Sequence, residues 1–198
     1  NYWTICHENC EECSQKPTKN ALNEVISQNC ILCYSNFKFI YETSNCANDS
    51  VLSNGYYLDN SDQKYHKCYI ACKTCNASKS TEHYCFTCDI ENNYYRAEGR
   101  PLSNCYNSLT VGSRYFLSEI DSGKMWKRCY ELCDTCSDGG SEDNHLCDSY
   151  ILGYHLIYNT SNCLKDSYAF SLGYYFDYDV ERYKKCHKGC KDCNKGSI

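Results

Sequence analysis

Cysteine is the residue with which this chain could do chemistry. The stretch KCYIACKTC, Lys67 to Cys75, holds three cysteines at C-x3-C-x2-C, with Tyr65 three residues before the first. The same spacing begins at Cys6, Cys129 and Cys186, preceded at the same distance by Trp3, Trp126 and Tyr183. Thiols placed this way can bind zinc as thiolates, pair as disulfides or act as redox nucleophiles.

Zinc has its best case in the first two copies. Cys72, Cys75, Cys85 and Cys88 read C-x2-C-x9-C-x2-C, and Cys10, Cys13, Cys30 and Cys33 read C-x2-C-x16-C-x2-C. Both spacings suit a tetrahedral four-thiolate site. The third copy runs Cys133, Cys136 and Cys147 and then has Tyr150, and a phenol is a poor substitute for a thiolate. Each complete copy also has two more regular cysteines, the first of C-x3-C and one in a recurring SNC, which a zinc site leaves unused. Three disulfides use all six, and disulfides place the chain outside the reducing cytosol. A redox C-x2-C is expected once, at a helix N-terminus, so its repetition argues against an oxidoreductase. His7, His66, His83, His145, His155 and His187 show no metal-binding spacing and read as surface or packing residues. With no G-x-S-x-G, paired-carboxylate motif or Gly-rich phosphate loop, we expect no catalytic, cofactor or metal residues, and a protein that is not an enzyme.

The elements that position these cysteines recur with them. The first cysteines lie about 60 residues apart, a period that marks a repeat array. After C-x3-C-x2-C comes a polar gap, then C-x2-C at Cys30/Cys33 and Cys85/Cys88. A Tyr-rich segment follows (FKFIY, NNYYR, GYHLIY), then SNC at Cys46, Cys105 and Cys163, then an aromatic opening (GYYLD, RYFLS, GYYFD). The repeats are 1–54, 55–111, 112–172 and a partial one at 173–198. In GYYLDNSDQKYHKC and GYYFDYDVERYKKC, aromatics flank a polar turn, which predicts hairpins. Only NALNEVISQN, near Asn20, is read as able to form a helical turn.

With 20 Cys and 21 Tyr among 198 residues, about half of the 42 % hydrophobic fraction is cysteine and tyrosine. Units of this size with so few aliphatic residues cannot be held by burial alone and need covalent staples. The net charge of −5 comes without a basic stripe, so nucleic acid is not an expected partner. No run of about 18 apolar residues marks a membrane span. The chain opens close to its first cysteine and stops within a fourth repeat, so a segment of a longer protein is expected, any leader or anchor lying outside it.

C-x3-C-x2-C, a gap, C-x2-C, a Tyr-rich hairpin and a final Cys together resemble the furin-like, or growth-factor-receptor, cysteine-rich repeat. The Tyr-, Asn- and Lys-rich tandem style is similar to cysteine-rich surface proteins of protists such as ciliates. The resemblance implies a small disulfide-rich fold, tandem modules of short β-hairpins stacked into an extended rod with little helix. It also implies pairing first with third, second with fourth and fifth with sixth. The first repeat would have Cys6–Cys13, Cys10–Cys30 and Cys33–Cys46. The second would have Cys68–Cys75, Cys72–Cys85 and Cys88–Cys105, and the third Cys129–Cys136 and Cys133–Cys147, followed by Cys186–Cys193 in the fourth. Spacing alone does not choose among the fifteen pairings open to six cysteines. Tyr150 takes the fifth-Cys place, so Cys163 is left as a free buried thiol, an interchain bond or one member of a rearranged pairing. Cys190 also lacks a partner.

The leading functional expectation is an extracellular, secreted or cell-surface structural protein, part of a coat or fibre, whose partners are other copies or other surface proteins. The alternative is an adhesion or ligand-binding ectodomain, in which Tyr94, Tyr95, Tyr174 and Tyr175 could stack on sugars; hairpin packing is the plainer reading of these tyrosines. N-x-S/T sequons at Asn48, Asn76 and Asn159 are candidate glycosylation sites in such a compartment.

Overall fold

A computed structural model describes residues 5–121, 123–190 and 192–193; Trp3, the first of the four aromatics, lies outside them. The chain folds into two compact units, Asn1–Tyr95 with Arg100–Asn107 and Arg96–Gly99 with Ser108–Ile198.

The first unit holds β1 (Cys10–Cys13), β2 (Thr18–Lys19), β3 (Val25–Ser27), β4 (Cys30–Cys33), β5 (Lys38–Phe39), β6 (Cys46–Ala47), β7 (Tyr56–Asp59), β8 (Lys64–Lys67), β9 (Cys72–Cys75) and β10 (Cys85–Cys88). The second holds β11 (Tyr115–Ile120), β12 (Gly123–Arg128), β13 (Cys133–Cys136), β14 (Cys147–Tyr150), β15 (Tyr154–Leu156), β16 (Cys163–Lys165), α1 (Asp166–Ala169), β17 (Tyr174–Asp177) and β18 (Arg182–Lys185). Every sheet has two strands and every strand pair is antiparallel.

Three kinds of hairpin recur. The aromatic openings form β7–β8, β11–β12 and β17–β18. In the first of these, Asp59 Oδ1 accepts from the Ser61 backbone N–H at 2.8 Å and Gln63 has φ 59°, so the polar residues close the turn. The cysteine hairpins β1–β4, β9–β10 and β13–β14 share one register, with a bulge in the middle of each. The C-x3-C spacing closes a turn in which the second Cys N–H donates to the carbonyl of the residue after the first. That bond recurs from Cys10 to His7, Cys72 to Tyr69, Cys133 to Tyr130 and Cys190 to His187. A closing hairpin forms as β5–β6 in the first repeat and β15–β16 in the third; in the second it shrinks to one antiparallel bridge, Tyr95 with Tyr106.

Among the described residues, helix is confined to short pieces: α1 and the 3-10 turns at Asp49–Asn54, Ile90–Asn92 and Phe170–Leu172. NALNEVISQN, where a helical turn was expected, belongs to the β2–β3 hairpin instead. Asn20 Oδ1 accepts the backbone N–H groups of Leu22 (3.0 Å) and Glu24 (2.9 Å), and Asn23 sits at φ 64°. An asparagine side chain bonded this way competes with the first helical turn for the same donors.

The core is made of sulfur. Each of three buried clusters centres on cysteines, with aromatics at the margin: Cys10, Cys30 and Cys46; Cys72, Cys75, Cys85 and Cys105; Cys129, Cys133, Cys136, Cys147 and Cys163. Leu156 and Val111 are among the few aliphatic side chains buried.

Candidate functional site

Nine disulfides order the molecule. They are Cys6–Cys13, Cys10–Cys30, Cys33–Cys46, Cys68–Cys75, Cys72–Cys85, Cys88–Cys105, Cys129–Cys136, Cys133–Cys147 and Cys186–Cys193. Cysteines directly opposite each other, such as Cys72 and Cys88, each bond elsewhere, Cys72 to Cys85 and Cys88 to Cys105. Cys163 is a buried free thiol and Cys190 an exposed one.

The structure gives the recurring SNC a physical role that spacing did not reveal. In every complete repeat the SNC Asn side chain accepts a backbone N–H from the residue two before the fourth Cys. The bonds are Gln28 N–H to Asn45 Oδ1 (2.7 Å), His83 N–H to Asn104 Oδ1 (2.8 Å) and His145 N–H to Asn162 Oδ1 (2.8 Å). The SNC Cys N–H returns the bond to the side chain of that same residue. Cys46 donates to Gln28 Oε1 (2.7 Å), Cys105 to His83 Nδ1 (3.2 Å) and Cys163 to His145 Nδ1 (2.9 Å). The SNC Ser carbonyl accepts from the fourth Cys itself, at Cys30, Cys85 and Cys147. Three hydrogen bonds thus latch the closing segment onto the cysteine hairpin.

The latch needs an unusual backbone. The residue before the fourth Cys is left-handed each time: Asn29 (φ 57°), Tyr84 (φ 55°) and Leu146 (φ 54°). Tyrosine and leucine rarely take that conformation; here it accompanies the inward turn of the latch residue.

His83 and His145 are therefore buried acceptors, not surface groups, and they stack on the aromatic that follows the first Cys. The ring centroids are 3.9 Å apart for Tyr69–His83 and 4.4 Å for Tyr130–His145. Burial pulls the His83 pKa below its ordinary value. Matching SNC Asn to Q-x-C or H-x-C upstream would have been the sequence signal for this latch.

The aromatic three residues before each first Cys is also buried. Tyr65, Trp126 and Tyr183 form parallel bridges to Ile40, Ala97 and Ile157, each within one residue of the end of the preceding Tyr-rich segment. Their carbonyls accept N–H bonds from Tyr41, Glu98 and Tyr158, each at 2.8 Å. The Tyr65 hydroxyl donates to Asp49 at 2.5 Å and the Tyr183 hydroxyl to Asp166 at 3.0 Å. Burial, helped by the adjacent carboxylate, pushes both phenols up to about 12. Asp166 also meets His155 Nδ1 at 2.7 Å.

Tyr150 stands opposite Cys133, where its counterparts Cys33 and Cys88 stand opposite Cys10 and Cys72. Its half-buried ring packs on the third sulfur cluster and lies against His155. Among the described residues, one cluster has metal-ligand chemistry, with donor atoms of His145, Cys147 and Cys163 within 4.8 Å of one another. It does not fit a thiolate-bound ion as it stands, because Cys147 is bonded to Cys133 and the His145 Nδ1 holds the Cys163 N–H.

Asn48, Asn76 and Asn159 are all exposed. Asn48 Oδ1 caps the 3-10 turn at Asp49–Asn54, accepting from Ser50 N–H at 3.1 Å. Tyr175 is buried, and Tyr94, Tyr95 and Tyr174 are half-buried.

Searches of protein-family models, of curated proteins and of solved structures found no match for this chain. The protein is a cysteine-rich chain of tandem disulfide-bonded β-hairpins. Nine disulfides point to an oxidising environment.

Proposed function

We propose that this chain is an extracellular structural repeat protein of the furin-like kind, a surface coat or fibre element that works through its array and not through a unique catalytic centre. The observation that carries this reading is the threefold joint. Tyr65, Trp126 and Tyr183 are each buried on the Tyr-rich segment of the repeat before, through the same backbone bonds. A sequence that spends its most buried aromatic on joining one repeat to the next is built for continuity. Of the tyrosines that could have made a sugar-stacking platform, Tyr174 and Tyr175 lie on β17, Tyr95 is bridged to Tyr106 and Tyr94 packs on the second sulfur cluster, which supports the structural reading over the adhesion alternative.

In this reading the partners are other copies or other surface proteins, meeting through hairpin edges that recur along the chain. Secretion would expose the sequons to glycosylation, and we expect sugar on Asn48 or Asn76. The test is sedimentation and negative-stain microscopy of the chain expressed by secretion, with glycopeptide mapping of the same sample. Concentration-dependent assemblies with a regular lateral or end-to-end contact are the expected result. A monomer at every concentration, failing to coat or join with surface extracts, overturns the coat reading; unmodified peptides at all three sequons count against secretion.

A further inference from the structure

Within the third repeat's sulfur cluster, three neighbouring buried cysteines hold one disulfide between them. Cys163 Sγ lies 3.0 Å from Cys147 Sγ, which is itself bonded to Cys133. All three residues are buried, Cys133 completely. A disulfide bond is about 2.0 Å long, so roughly 1 Å of closure would join Cys163 to Cys147.

We propose that Cys163 exchanges with the Cys133–Cys147 bond, so that one disulfide is shared among three cysteines and the third repeat exists in two linkage states. Cys163 gives up its proton and its Sγ attacks Cys147 Sγ. The Cys147–Cys163 bond forms as the Cys133–Cys147 bond breaks, and Cys133 leaves as a thiolate that takes up a proton. One thiol and one disulfide stand on each side, so the step consumes no oxidant or reductant.

The two states tie different elements. Cys133–Cys147 staples β13 to β14. Cys147–Cys163 staples β14 to β16, securing the closing hairpin that the loss of a fifth cysteine left without a bridge. Burial keeps external thiols from the cluster and confines exchange to one chain. The titratable side chains packed around it are His145, Tyr130, Tyr150 and Tyr154. Burial pushes the Cys163 thiol up to about 11, so its thiolate is scarce at neutral pH and exchange is slow there.

The experiment uses the chain with Cys190→Ser, which leaves one unpaired thiol among these residues. The protein is held at pH 7 to 10 without added thiol, quenched in acid, denatured, alkylated with N-ethylmaleimide and mapped without reduction. Alkylation divided between Cys163 and Cys133, independent of protein concentration, is the expected result. Each isomer, separated in acid and returned to buffer, should regenerate the mixture about tenfold faster per pH unit in this range. Alkylation confined to Cys163 at every pH, an isolated isomer that never reverts, or a ratio that varies with protein concentration overturns the proposal. Adding Cys163→Ser should leave the Cys133–Cys147 bond alone and no alkylation; scrambling that persists there also overturns it.

Discussion

The second and third repeats close their hairpins on the same latch with different backing. In the second, Asn104 and His83 hold the closing segment and the Cys88–Cys105 bond lies behind them. In the third, Asn162 and His145 make the same bonds with no bridge behind, and Tyr150 occupies the vacated place. The closing strands differ between the two. In the second repeat pairing is one bridge between Tyr95 and Tyr106, while the first repeat, which also has its Cys33–Cys46 bond, pairs two residues of β5 with β6. In the third, β15 and β16 pair along Tyr154–Lys165, His155–Leu164 and Leu156–Cys163, and Leu156 is buried. In the third repeat three cross-strand pairs and a buried aliphatic side chain hold the closing segment that a covalent tie also secures in the other two. A disulfide acts mainly on the unfolded chain, by restricting it, whereas strand pairing and burial act on the folded one.

The sharpest way to break the comparison is to exchange the backing. Tyr150→Cys should form a bond to Cys163 and raise the stability of the second unit by about 2–3 kcal/mol, less the lost Tyr150 packing. The paired change Cys88→Ser with Cys105→Ser should lower that of the first unit by about 3 kcal/mol. Denaturant midpoints read both. No gain from Tyr150→Cys, with the new bond confirmed by mapping, would mean that the aromatic already does the bridge's work.

Removing the latch comes next. Asn162→Ala should cost about 1–3 kcal/mol, since it strands a buried backbone donor. It should also speed hydrogen exchange at the Cys163 amide far more than Asn104→Ala speeds it at Cys105, where the covalent tie remains. Equal acceleration at both sites would show that the bridge does not back the latch. Glutamine is the tolerated substitute, because Gln28 already fills the role in the first repeat. His145→Gln should therefore cost well under the alanine change.

Acid makes a smaller, pH-specific difference. The folded His83 pKa lies below its ordinary value, so the unfolded chain binds the extra proton first. Stability of the first unit should fall as pH drops below about 6.5 and level off once the folded-state pKa is passed. His83→Gln should remove that dependence; an unchanged acid slope assigns it to another group.

The smallest effect concerns the joints. Tyr65 and Tyr183 keep their protons to about pH 12 when folded, while an unfolded tyrosine loses its proton near 10. Their contribution is complete below about pH 10 and is lost as pH rises through 12. Ultraviolet titration should show two late phenols, and Tyr65→Phe should remove one at a cost of about 1 kcal/mol.

Much of this molecule is written in local residue types. The repeat, the aromatic hairpins with turns at Asn60–Gln63 and Tyr178–Glu181, and the need for covalent staples follow from composition and from what a short turn requires. The special standing of Cys163 follows from Tyr150 occupying a cysteine position. Other features depend on residues far apart in sequence meeting. The latch joins Asn104 to His83 and Asn162 to His145 through backbone donors, and side-chain periodicity carries no record of which backbone donors will be buried without a partner. NALNEVISQN has helical residue types, yet Asn20 found its own backbone first. The contact of Cys163 with the Cys133–Cys147 bond also belongs to the tertiary structure alone, because the latch brings β16 beside β14 and sets one sulfur against another. Sequence determines which groups must be satisfied; only the folded chain decides which neighbour satisfies each, since burial and distance exist only once distant segments have met.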